Sequence, residues 1–122
     1  MIIRRWAPPI FWAAAILLIS SIPSSNLGAV APYSFPGADK IVHASFYALL
    51  GWFAAKAAGG EALNLTTAVW TLGVIAVFGA VDEWHQQFVA GRAADVMDWL
   101  ADTVGAATAV MLFAWRQRAE VA

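Results

Sequence analysis

The chain contains no cysteine. That excludes disulfides, thiolate nucleophiles and Cys-based zinc or iron–sulfur centres, and leaves the redox compartment open. Charge is also scarce. Charged residues make up 12% of the 122 positions and the formal net charge is −1, whereas a soluble domain is about one quarter charged. So few charges cannot coat a water-soluble globule of this size, and no basic surface for nucleic acid is present. Strand-like alternation is missing, which argues against a β-barrel. There is no internal repeat, no low-complexity tract, no H-E-x-x-H and no D-x-D-x-D-G loop. What remains is a chain that is 61% hydrophobic with seven tryptophans. Indole has an apolar body and one polar N–H, which suits a membrane interface.

A hydrocarbon core about 30 Å thick needs about 20 helical residues to cross it. Four segments approach that length, at approximately residues 6–22, 41–58, 65–82 and 96–115. The expected fold is all-α, a single domain over residues 1–122 forming an integral membrane four-helix bundle. Pro23 to Gly28 breaks the first helix, and the stretch on to Lys40, with Pro32, Pro36 and Gly37, reads as a loop. Gly59-Gly60 ends the second helix, and Asn64 with Thr66-Thr67 is placed to cap the third. Arg4-Arg5 followed by an apolar run gives the first segment a rival reading as a signal peptide, weakened by Pro23 and the polar residues after it.

Lysine and arginine placement sets orientation. Arg4, Arg5, Lys56, Arg116 and Arg118 fall on one side of a four-span topology, with Lys40 and Arg92 on the other. Both termini are therefore expected in the cytoplasm, with the polar residues from Asp39 to His43 and from Asp82 to Asp98 at the outer surface.

Those residues form the candidate site. Asp39, His43 and Tyr47 are spaced by four and share one helical face; Asp39 alone also reads as an N-cap. Glu83, Gln86 and Gln87 lie a turn apart at the end of the third segment. Asp95, Asp98 and Asp102 follow an i, i+3, i+7 pattern and face one way. Asp95 suits a cap for the fourth helix, but Asp98 and Asp102 lie inside it. Ionisable groups at such depth face a bundle interior or a wet cavity, and two carboxylates on one stripe repel unless each finds a cation, donor or proton. Arg92 is the expected partner, with Lys40 and His43 as others. His85, beside Trp84, reads as an exposed interfacial residue, and Gly73, Gly79 and Gly105 as small packing positions.

Three chemistries are open to the set Asp39, Lys40, His43, Tyr47, Glu83, Gln86, Arg92, Asp95, Asp98 and Asp102. Arg92 and Lys40 can hold an anionic head group. Glu83 and His43, the catalytic candidates, can act as general acid and base. The Asp/Glu/His set can coordinate a divalent cation, although no metal-binding motif assigns ligands and no resident cofactor is expected. A purely structural alternative is an interhelical polar clamp.

Asp39-Lys40-x-x-His43 with Tyr47, then Glu83-x-x-Gln86-x-Phe88-x-x-Gly91-Arg92, then Asp98 and Gly105, resemble the VanZ-like family of small bacterial membrane proteins, named for a teicoplanin-resistance accessory protein. The resemblance covers about the last two-thirds of the chain. Ala90 stands where that family often has Pro, and Asp102 where it often has Asn. The resemblance implies a multi-pass protein of the bacterial cytoplasmic membrane linked to the cell envelope and to glycopeptide response, and it supplies no reaction. The expected partners are the bilayer and an anionic lipid or lipid-linked cell-wall precursor, with an enzyme acting on a lipid head group as one alternative. The other alternative is an accessory subunit that pairs with a second copy or with another membrane protein.

Overall fold

The structure is a computed structural model that describes residues 2–27, 35–60 and 62–121. Among them the ordered elements are all helices: α1 (Ile2–Ser20), α2 (Ser24–Leu27), α3 (Ala38–Gly59), α4 (Leu65–Gln86) and α5 (Val96–Val121). Three are long and apolar enough to cross a membrane: α3, α4 and Val96–Glu120 of α5. The expected first span is a helix of 19 residues that starts earlier, at Ile2, and runs through Pro8 and Pro9. These prolines leave the carbonyls of Arg4 and Arg5 without helical donors.

Local chemistry accounts for the other boundaries. Gly37, at φ +85°, turns the chain into α3, a conformation that glycine adopts without steric cost. The helix therefore starts three residues before the expected Ile41, and Asp39 lies in its first turn instead of capping it. The expected cap at α4 is present: Asn64 Oδ1 accepts from the Thr67 N–H at 2.9 Å. Asp95 caps α5, its Oδ1 accepting from the Met97 N–H at 2.8 Å. The loop expected from Pro23 to Lys40 holds the single-turn α2, and its residues 28–34, Pro32 included, lie outside the described residues.

Helix α3 is central and touches α1, α4 and α5, most extensively α5. A Cβ built on Gly51 would come within 2.7 Å of the Ala106 carbonyl oxygen, and one on Gly105 would overlap the Ala44 carbonyl. Small residues let the two backbones meet, as in membrane helix pairs generally. The core around them contains Tyr47, Leu50, Ala54, Ile75 and Ala106. Trp12 fastens α1 to α3 by stacking on Phe46 at 5.4 Å and donating to the Phe46 carbonyl at 2.9 Å. Gly73, expected at a helix contact, faces open space. The outer face of α4 exposes Leu65, Val69, Trp70, Val74 and Val77, an apolar stripe that water would penalise and lipid would not.

The two ends differ in charge. Arg4, Arg5 and Lys56 surround one cleft, and Arg5 donates to the Ala57 carbonyl at 2.7 Å. Lys40 and the acidic residues lie at the opposite end of α3.

Candidate functional site

Three chain segments converge at that end: the first turns of α3, the last turns of α4, and the loop and first turns of α5. Lys40 on α3 is enclosed by carboxylates. Its Nζ donates to Asp39 Oδ2 at 3.0 Å, to Asp95 Oδ2 at 2.7 Å and, closest, to Asp98 Oδ1. A charge-assisted hydrogen bond is about twice as strong as a neutral one, and here three meet at one ammonium. The adjacent ammonium holds the Asp95 carboxyl below the usual carboxylate range.

His43, one turn further along α3, lies among three acids, one of them the Asp98 that Lys40 also holds. Its Nδ1 is 2.9 Å from Asp102 Oδ1 and 4.0 Å from Glu83 Oε1, and its Nε2 is 3.6 Å from Asp98 Oδ2. Asp102 is 1% exposed and Glu83 5%, so water screens neither. Glu83 is fixed at both oxygens: Oε2 accepts the Asp95 N–H at 3.0 Å and Oε1 accepts from Gln86 Nε2 at 3.4 Å. The i, i+3, i+7 stripe therefore divides, with Asp95 on Lys40, Asp102 on His43, and Asp98 reaching both.

Arg92 is not the partner of Asp98 or Asp102. It lies on the far side of Gln86, donating from Nε to Gln86 Oε1 at 3.2 Å and from Nη1 to the Ile22 carbonyl at 3.4 Å. The reason is local. Gly91, at φ +73°, turns the chain, and a Cβ there would overlap the Ser24 hydroxyl. The Ser24 N–H donates to the Ala90 carbonyl at 3.2 Å. This junction draws Arg92 toward the end of α1, where it borders a cleft of about 50 Å³ lined also by Ile16, Ser20, His43, Phe46, Tyr47 and Asp82. A water needs roughly 10–15 Å³ of such space, so the cleft itself holds a few waters, and a larger ligand lies partly along its open side.

Sequence reasoning placed Asp82 among the outer polar residues but gave it no role, and it did not name Ser20. Asp82 is 1% exposed. Its Oδ2 accepts from Ser20 at 2.9 Å and from Tyr47 at 3.2 Å. The available signal was a second acid directly beside Glu83, one helical turn from Gln86. Ser20 has no such signal, because only the fold brings α1 against α4. His85, expected at an exposed interface, is half-buried.

Six carboxylates thus stand near two permanent cations and one imidazole. Two of the buried carboxylate oxygens, Asp82 Oδ1 and Asp102 Oδ2, have no hydrogen-bond partner. The arrangement can move a proton between His43 and its acids, accept a cation among them, or present Arg92 to an anion at the cleft. In comparison with known proteins, a family model described as VanZ/LLP1 matches residues 6–117. No curated protein and no solved structure matches the chain.

Proposed function

Because the chain belongs to the VanZ/LLP1 family, whose model spans nearly its whole length, we propose that it binds an anionic envelope lipid or lipid-linked cell-wall precursor. In this reading it crosses the bacterial cytoplasmic membrane four times with both termini inside. The site of Lys40, His43, Glu83 and Arg92 then opens on the outer side, and α1 completes the spans despite its prolines. Support for the orientation comes from the separation of Arg4, Arg5 and Lys56 from Lys40 and Arg92 along α3, with the larger basic set on the inside.

One observation carries the binding reading. The cleft between α1, α3 and α4 joins a guanidinium at its rim, Arg92, to an apolar wall of Ile16, Ile19, Leu27 and Phe46. That combination matches an amphiphile, with the anionic head group on Arg92 and the first part of the chain along the wall. Arg92 suits the role because its present hydrogen bonds, 3.2 and 3.4 Å, go to neutral acceptors, so no carboxylate among the described residues pairs with its charge. Lys40 has the opposite situation. With three carboxylates on its ammonium, it ties α3 to α5 and offers no net positive charge to a ligand.

The test uses the purified chain in phosphatidylcholine nanodiscs doped with phosphatidylglycerol, with bound phosphatidylglycerol counted by native mass spectrometry. Arg92→Ala is expected to weaken its retention about tenfold, the loss of one charge-assisted hydrogen bond worth about 1.5 kcal/mol. Arg92→Lys should recover part of it, since an ammonium keeps the charge without the planar fork. Equal retention by wild type and a folded Arg92→Ala chain would sink the proposal.

A further inference from the structure

We propose that His43, Glu83 and Asp102 form a binding site for a divalent transition-metal ion of the Zn²⁺ type. The three residues come from three helices, and one ligand atom from each lies within 4.8 Å of the others. Ligands held about 2.0–2.2 Å from a common Zn²⁺ lie roughly 3.0–3.5 Å apart. The spacings of His43 Nδ1 to Asp102 Oδ1, 2.9 Å, and to Glu83 Oε1, 4.0 Å, straddle that range. A shift of about half an ångström brings each to it.

An acidic cluster alone would not carry this. The independent observation is the orphaned oxygen of Asp102. This side chain is 1% exposed, and its Oδ2 has no hydrogen-bond partner. Buried polar atoms without partners are rare enough in folded proteins to require an explanation, and an ion is one. The orphan oxygen faces α4, since a Cβ built on Gly79 would lie 3.7 Å from it, and Gly79 is one turn before Glu83. It therefore lies against the helix that supplies the third ligand, and an ion gripped by both oxygens of Asp102 would give it a partner.

Charge and second contacts agree with the assignment. Two carboxylates and a neutral imidazole cancel a double positive charge, which matters where water is excluded. An imidazole in the set selects Zn²⁺ and its neighbours over Mg²⁺ or Ca²⁺, which prefer oxygen alone. Metal-bound histidines almost always direct their other ring nitrogen to a carboxylate or carbonyl. Here Nε2 faces Asp98 Oδ2 at 3.6 Å, and Lys40 holds the other oxygen of Asp98. Glu83 is oriented in turn by the Asp95 N–H at 3.0 Å. Three protein ligands leave a coordination position for water or a ligand oxygen, the pattern of zinc sites that do chemistry. His43 lines the cleft from which such an oxygen would enter.

The test takes chelator-treated protein in phosphatidylcholine nanodiscs, with Zn²⁺ binding measured by calorimetry and Co²⁺ by visible absorption. The expected result is one ion per chain, with a Co²⁺ d–d band of a low-coordinate N/O site. His43→Gln and Asp102→Asn, both close in size to the native residues, should each weaken binding at least tenfold. His85→Gln, which changes the chain's other histidine, should leave it unchanged. Absence of stoichiometric binding to wild type overturns the assignment. So does undiminished binding by a helical Asp102→Asn chain, or loss of binding in His85→Gln. The Arg92 retention assay contains no added metal, so its outcome does not depend on this one.

Discussion

Gly105→Leu is expected to destabilise the fold severely. A Cβ at this position overlaps the Ala44 carbonyl on α3, and the obstacle is backbone, which cannot rotate aside as a side chain can. Overpacking a well-fitted core costs about 1–3 kcal/mol and occasionally more. Here a four-carbon side chain is forced between the two helices with the most extensive mutual packing. We expect a loss of about 4 kcal/mol, in the exceptional range for one substitution. Thermal unfolding in detergent, followed by circular dichroism, reads the effect directly. Gly73→Ala is the matched control. A Cβ at Gly73 meets nothing, so the exchange should raise stability by about 0.5–1 kcal/mol through the lower backbone freedom of alanine. If Gly105→Leu melted like wild type, α3 and α5 could not be in backbone contact at this point.

That glycine pair also marks a limit of sequence reading. Gly73 and Gly105 look alike in a string of small and apolar residues, and both were expected to pack. Only the helix azimuth separates them: Gly105 continues the stripe of Asp95, Asp98 and Asp102, whereas α4 near Gly73 has no ionisable residue and so gives no phase from which to read it. Capping was legible where the signal is chemical, as at Asn64 and Asp95, whose side chains accept the backbone N–H groups expected of them. Asp39 showed that the same signal can mislead when a neighbouring glycine turns the chain first. The polar cluster was legible because ionisable residues in apolar helices must converge, and His43, Glu83, Asp98 and Asp102 do. The pairing within it was not. Arg92 was the expected counter-charge because it is close in sequence to the acids. Lys40 takes that place from 55 and 58 residues away, a proximity created only by the docking of α3 on α5.

The second large effect is expected from Lys40→Met, which keeps most of the length of the side chain and removes its charge. Asp39, Asp95 and Asp98 then face one another without a cation. Removing one partner of a fully buried pair costs about 3–5 kcal/mol, while an exposed pair is worth less than about 1 kcal/mol. With 32% of the Lys40 side chain and 13% of that of Asp98 exposed, a loss of about 2 kcal/mol near pH 7 is expected between those limits. The pH dependence supplies a sharper check. In wild type the lysine depresses the Asp95 carboxyl, so its contribution is present above the unfolded value of 3.8 and is lost as pH falls through the lower folded value. Without the lysine, repulsion from the neighbouring carboxylates raises the Asp95 carboxyl instead, and its protonation then favours the folded chain as pH falls. The deficit of Lys40→Met relative to wild type should shrink steadily from pH 7 to pH 4 in chemical unfolding. A deficit that stayed constant over that interval would mean that the lysine acts through packing alone.

The distance along the chain between Lys40 and its carboxylates has a consequence for biosynthesis. Asp95 ties three helices together: its side chain grips Lys40 of α3 and caps α5, and its N–H holds Glu83 of α4. A ribosome delivers Lys40 and His43 more than fifty residues before Asp95, Asp98 and Asp102. Until α5 emerges, a lysine and a histidine stand at a lipid boundary with three of their five carboxylate partners not yet made. Newly made α3 therefore has an electrostatic reason to stay beside the insertion machinery until the last helix arrives. A chain stopped after α4 should cross-link to that machinery longer than the complete one, and prompt release of the truncated chain would contradict this order of events.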